Sequence, residues 1–212
     1  MLENAAKTTG DKMHWTTDID SKIKELELRK QPVIIRVNKF DEESAKDFTS
    51  QMSLAHNTGQ KVIPVIIDSY GGQVYSLMSM IAAIKASELP VATIVEGKAM
   101  SCGAVLFTFG ESGLRYMDPD ATIMIHDVSS AQWGKVEEIK ASAAETERLN
   151  KKIYRMMARN CGHPDDYFLD EVHTRGRADW YINSSEAKKL KMADHLRLPK
   201  LDVNIDVEFN FS

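Results

Sequence analysis

Cysteine is scarce: the 212 residues hold only Cys102 and Cys161. Two cysteines so far apart form neither a disulfide framework nor a zinc-ligand spacing, so a reducing compartment is expected. Long apolar runs are missing as well. Stretches such as VIPVII and AVLFTF fall far short of the roughly 20 residues that span a bilayer. The opening MLENAAKTTGDKMHW lacks the apolar core of a secretory signal. A cytoplasmic location is the expectation. No G-x-x-x-x-G-K-[ST] occurs, so the chain offers no phosphate-cradling loop of its own. Excess charge is also small. A net charge of -4 gives no reason to expect nucleic acid or an anionic membrane as partner. No internal repeat or low-complexity segment is present.

What remains is 43% hydrophobic, enough for one sizeable core. Residues 1–31 are polar and charged and read as an N-terminal arm with one short helix. PVIIRVN then predicts a strand, and KFDEES starts a helix that runs to about His56. KVIPVIID predicts a strand covered on both faces, SYGGQ a break, and VYSLMSMIAAIKAS a helix. PVATIVE is the next strand, GKAMS the next turn, and SCGAVLFTFG a short apolar helix. LRYMD and ATIMIHD read as two short strands. Lys135 to Asn160 form a long charged helix with a weak apolar stripe, better suited to projection or partner packing than to a core. HPDDYFLDEVH predicts a helix with Pro164 at its first position, and SSEAKKLK a last one capped by serine. The repeated order of strand, turn and helix argues for α/β layering with right-handed crossovers. Active sites in such folds gather where strands end and helices begin. DSYGGQ and GKAMSCG occupy two such junctions.

Each junction carries a group with chemistry. Ser101 and Cys102 are both nucleophile types. A serine hydroxyl needs a histidine to accept its proton and an acid to orient that histidine. Serine is also a common helix N-cap, which taken alone explains Ser101 more simply. His126 closes the β-like ATIMIH, a natural place for a base, though a half-buried structural histidine fits that position too. Asp127 beside it is discounted as the orienting acid, because neighbours on a strand point to opposite faces. Cys102, one step inside an apolar helix, reads as a small buried side chain. The pair Gly71–Gly72 allows close backbone approach or positive φ. His163, Asp166, Asp170 and His173 share a helical face, but helix-start preference explains them better than a metal site. Met78 and Met80 read as core.

In combination these junctions resemble the proteolytic subunit of the Clp protease (the ClpP family), a self-compartmentalised serine peptidase. The matching segments are IDSYGGQV, GKAMSCGAVL, IMIHDV and DWYINSSEAKKLKMAD. They follow in the family's order over roughly residues 33–197, and Gly72, Ser101 and His126 need no gap between them. The resemblance implies an α/β fold of the ClpP and crotonase type, with a projecting "handle" helix over about 135–160. It implies a catalytic domain over 32–198 and a tail over 199–212. Ser101 would be the nucleophile, His126 the general base and Asp179 the orienting acid, with Asp170 and Asp194 as competitors for that last role. The backbone N–H groups of Gly72 and Cys102 would form the oxyanion hole. Gly71, Ser129 and Ser130 would line the path of an extended substrate. No cofactor or metal is called for. The implied partners are copies of the chain in a heptameric ring or double ring, an ATP-driven Clp unfoldase, and unfolded polypeptides.

The chain departs from the family pattern in places. Tyr70 replaces the proline before the paired glycines, and Asp127–Val128 replace Gln-Pro after the histidine. DVSSAQWG lacks the family's paired glycines, and Ala178 stands where many members carry a ring-contact arginine. The alternating tail LPKLDVNIDVEFNFS reads as an added strand or partner contact. Two other functions stay open at this level: an inactive ring subunit, and a crotonase-like enzyme acting on acyl-CoA.

Overall fold

The computed structural model describes residues 31–129 and 133–201. The N-terminal arm, most of the C-terminal tail and Ser130 lie outside the described residues. Among the described residues six strands form one sheet. In chain order the elements are β1 (Ile35–Val37), α1 (Glu42–Ala55), β2 (Ile63–Ser69), α2 (Val74–Lys85), β3 (Val91–Met100) and α3 (Cys102–Phe107). Then follow β4 (Arg115–Met117), β5 (Thr122–Ile125), α4 (Val136–Asn160), α5 (Tyr167–Thr174), β6 (Trp180–Asn183) and α6 (Ser184–Lys189).

The sheet order is β1-β2-β3-β5-β6, with β4 also on β3. β1, β2 and β3 run parallel, and both β4 and β5 are parallel to β3. β3 is long enough to serve two short strands in succession. Thr93 to Val95 pair with Arg115 to Met117, and Lys98 to Met100 pair with Thr122 to Met124. β6 closes the sheet antiparallel to β5. This mixed α/β architecture is the fold class expected above.

Burial follows the apolar pattern. The central strands β2 and β3 present near-continuous buried runs, as strands covered on both faces should. All six residues of α3 are buried. α1 buries Ala45, Phe48, Met52 and Ala55, a stripe at helical spacing. Asp41 caps that helix through the Ser44 N–H at 2.8 Å. In α4 the buried residues, Leu149, Ile153, Tyr154, Met157 and Ala158, all belong to the C-terminal half. The N-terminal half carries Val136 and Ile139 exposed to solvent. The helix therefore projects, as its charge pattern suggests. Met80 lies in the core and Met78 packs against it.

Four local expectations need correction. GKAM is not a turn: β3 continues through it to Met100, because a register irregularity between Ile67 and Ser69 lets Ser69 pair with Ala99. The strand β6 was not foreseen in WYIN. α5 starts at Tyr167, three residues beyond Pro164. The residues between α4 and α5 are spent on reversing the chain. Gly162 sits at φ 67, the His163 N–H bonds to the Ala158 carbonyl, and Asp165 and Asp166 pair back onto Arg159 and Arg155. The cap of α6 is Asn183, which accepts from the Glu186 N–H at 2.9 Å, while Ser184 Oγ donates to the Pro119 carbonyl.

Candidate active site

Three strand ends meet at one edge of the sheet. Met100 and Met124 form the last pair of the parallel β3–β5 ladder. Ser101 follows one of them directly, and its N–H donates to the Met124 carbonyl at 2.8 Å. His126 follows Ile125, the last residue of β5. Ile125 pairs antiparallel with Trp180, so Asp179 is set opposite His126 one step past the end of that ladder. Sheet register alone thus brings together three residues that lie far apart in the chain.

Ser101 is the strained residue of the group. Its φ of 54 is unusual for a side chain with a Cβ, and its hydroxyl makes no cap bond to α3. Instead Oγ lies 2.9 Å from His126 Nε2. The Ser101 hydroxyl therefore does not cap α3; it pairs with His126. On the other side of the ring, His126 Nδ1 lies 3.9 Å from Asp179 Oδ1. That is ion-pair range rather than hydrogen-bond length, and the Asp179 side chain is half exposed.

The glycine turn closes over this serine. After β2, Gly71 has φ 100 and Gly72 φ 151, both in the region that favours glycine. A Cβ on Gly71 would stand 2.7 Å from Ser101 Cβ, and one on Gly72 would stand 2.4 Å from the Phe40 carbonyl oxygen. The turn is fixed by Gly71 N–H donating to Ser69 Oγ at 3.0 Å and Gln73 N–H donating to the Phe40 carbonyl at 2.7 Å. Cys102 is buried, and its thiol donates to the Gly72 carbonyl at 3.2 Å. Burial pushes this thiol up to about 11, despite the hydrogen bonds that work the other way. At neutral pH it is a protonated donor, a poor nucleophile.

The other acids point elsewhere. Asp194 is engaged by Arg115 through two guanidinium bonds of 2.9 and 2.8 Å. Asp127 accepts from Asn150 Nδ2 at 2.8 Å, with His173 and Arg177 at 4.0 and 3.7 Å from its other oxygen. Asp170 belongs to α5, where its carbonyl takes the Thr174 hydroxyl. Among the described residues, Asp179 is the acid that forms an ion-pair contact with His126. The four residues weighed as a metal cluster also disperse. His163 stacks on Tyr167 with ring centroids 4.1 Å apart, Asp166 pairs with Arg155, and His173 faces Asp127. Ser129 is exposed beyond Val128, whose N–H is held by Asn150 Oδ1.

Residues not singled out from the sequence support the site: Ser69, Phe40 and Asn150. Ser69 acts locally, its side chain holding the Gly71 N–H two residues on. Phe40 and Asn150 reach the Gln73 and Val128 N–H groups across large sequence separations, for which no local pattern exists.

The family model of the Clp protease matches residues 17–198. The chain belongs to the Clp protease family. Clp proteases are serine peptidases, and the match spans every element of the sheet and the helices described above. It begins at residue 17, within the segment read from composition as an arm. Among the described residues no helix is long and apolar enough to cross a membrane.

Proposed function

We propose that this Clp protease family chain is an active serine endopeptidase subunit. Ser101 Oγ attacks the carbonyl carbon of a peptide bond while His126 Nε2 takes its proton. The oxyanion that forms is held by the N–H groups of Gly72 and Cys102, aimed from the turn and from the first turn of α3. The C–N bond breaks as His126 returns the proton to the leaving amine. Water then repeats the sequence on the acyl-enzyme and restores Ser101. Asp179 faces Nδ1 and orients the imidazole. At 3.9 Å it does so through a loose contact.

One observation carries this reading: a serine at φ 54 leaves its own helix uncapped and bonds His126 Nε2 at 2.9 Å. Nothing about a capping or packing role requires that strain. The catalytic unit is residues 32–198. Gly71 and Ser129 flank the path of the substrate strand, and Ser130, outside the described residues, is assigned to substrate binding with them. The exposed N-terminal half of α4 serves ring assembly, in a heptameric ring or double ring. A Clp-type ATPase feeds unfolded chains in the cytoplasm, which supplies the nucleotide chemistry this sequence lacks.

The test is fluorophosphonate labelling with mass spectrometry, beside hydrolysis of short fluorogenic peptides. The label should fall on Ser101, and Ser101→Ala should reduce hydrolysis by at least about a thousandfold. Hydrolysis retained in Ser101→Ala overturns the assignment. Absence of any label on the assembled protein favours an inactive ring subunit.

A further inference from the structure

Asp179 is the loosest member of the group, and the chain that delivers it is short and strained. α5 ends at Thr174, and β6 begins at Trp180. Between them Gly176 has φ 73 and Arg177 φ 60, two left-handed residues in a row. For glycine this costs little, but for arginine the backbone is unfavourable and must be held by its surroundings. The Arg177 N–H bonds to the Val172 carbonyl at 2.9 Å, which closes the end of α5. The Arg177 side chain reaches to 3.7 Å from Asp127 Oδ2.

Asp127 is a firm anchor for that side chain. It is only 22% exposed, and its Oδ1 is fixed by Asn150 of α4 at 2.8 Å. The same Asn150 accepts from the Val128 N–H at 2.9 Å. Asp127 also directly follows His126 in the chain. Through a 3.7 Å ion-pair contact to the largely exposed Arg177 side chain, the carboxylate beside the base thus reaches the turn that carries the acid facing the base. On the far side of the turn, Arg175 lies over the Trp180 ring at 4.1 Å, so the segment is moored at both ends.

We propose that Arg177 and Asp127 are positioning residues that hold Asp179 in reach of His126. The proposal rests on the reading of Ser101, His126 and Asp179 given above. Asp127 does not orient His126 itself, since its carboxylate faces α4 and α5. Its charge acts one step removed, on the guanidinium of Arg177 two residues before Asp179. The groups around Asp127 are Asn150 and the buried Tyr154 from α4, His173 from α5, Arg177 from the turn and His126 from its own strand end.

The test is steady-state kinetics on a short fluorogenic peptide, with kcat and KM resolved separately, measured on the full-length assembled protein. Arg177→Gln is expected to lower kcat about three- to fivefold with KM unchanged, the scale of a partly exposed ion pair. Arg177→Lys should recover most of the loss. Asp127→Asn added to Arg177→Gln should cost little more than Asp127→Asn alone, since the two changes share the Arg177–Asp127 contact. An unchanged kcat or a raised KM in Arg177→Gln, no recovery in Arg177→Lys, or additive losses in the double variant each overturns the proposal. Activity surviving in Ser101→Ala strikes the underlying site assignment instead, and the two failures are distinct.

Discussion

His126 and Asp179 stand 3.9 Å apart although the β5–β6 ladder sets them face to face. The backbone register is right for a hydrogen bond, and the side-chain distance is about 1 Å too long for one. In a tight triad, replacing the acid by its amide costs about ten-thousandfold in kcat. Here the acid is half exposed and loosely held, so less depends on it. Asp179→Asn is expected to lower peptide hydrolysis by about ten- to a hundredfold. Ser101→Ala should cost at least ten times more. Steady-state kinetics of the two variants side by side check this, and equal losses contradict it.

Cys102 carries a protonated thiol that donates to the Gly72 carbonyl, and in the proposed mechanism it supplies its amide rather than a nucleophile. Cys102→Ala should keep hydrolysis within about fivefold, because one neutral hydrogen bond to the Gly72 carbonyl is lost. Cys102→Ser, which keeps a donor, should fall closer to the unmodified protein. Thiol-directed alkylation at neutral pH should be slow, since burial holds the thiol near 11. Rapid alkylation with inactivation, measured by mass and residual activity, contradicts this.

Gly71 is where the turn touches the serine. Gly71→Ala introduces a Cβ at 2.7 Å from Ser101 Cβ on a backbone with φ 100. Ser101 or the turn must shift, and proton transfer to His126 depends on the 2.9 Å contact. Hydrolysis and fluorophosphonate labelling should both drop by about a hundredfold or more, while the far-ultraviolet circular dichroism stays unchanged.

Arg115 and Asp194 form a nearly buried pair, with side chains 6% and 20% exposed. Burial works to raise the Asp194 carboxyl. Hydrogen bonds and charge from Arg115, with the Gly113 N–H, outweigh it and hold the group below its ordinary 3.8. A lowered carboxyl contributes stability that is complete above the unfolded value and is lost as pH falls through the folded one. Asp194→Ala leaves Arg115 buried without its counter-charge and should cost about 3 kcal/mol or more at pH 7. From about pH 4 downward the gap between variant and unmodified protein should narrow. Denaturant unfolding at pH 7 and pH 3 measures both.

Much of the fold was legible because it rests on local periodicity. KVIPVIID and PVATIVE are β-rich and apolar throughout, and both became buried central strands. The charges on α4 marked it as projecting, and its first half is exposed. WYIN was not legible: four residues with alternating burial, flanked by helical segments, carry too little pattern to stand out. The start of α5 was misplaced because a proline before two acids favours a helix start locally. Arg155 and Arg159 of the preceding helix claimed those acids for a turn instead.

Within the site the same division holds. The sequence by itself determined the residue types at the strand ends: Ser101 and Cys102 after β3, His126 after β5, paired glycines after β2. Their spacing is an intrachain property that a one-dimensional pattern can carry. It left the serine between cap and nucleophile, and the acid among Asp170, Asp179 and Asp194. The tertiary structure sets the Ser101 hydroxyl beside His126 and, of the three acids, brings Asp179 against that ring. The register of two ladders aligned Ser101, His126 and Asp179, and the strained φ of Ser101 turned its hydroxyl away from its helix toward the imidazole. Arg115 drew Asp194 elsewhere. Pairing across a sheet joins residues that are remote in the chain, and no local pattern records which strand end a given side chain will meet.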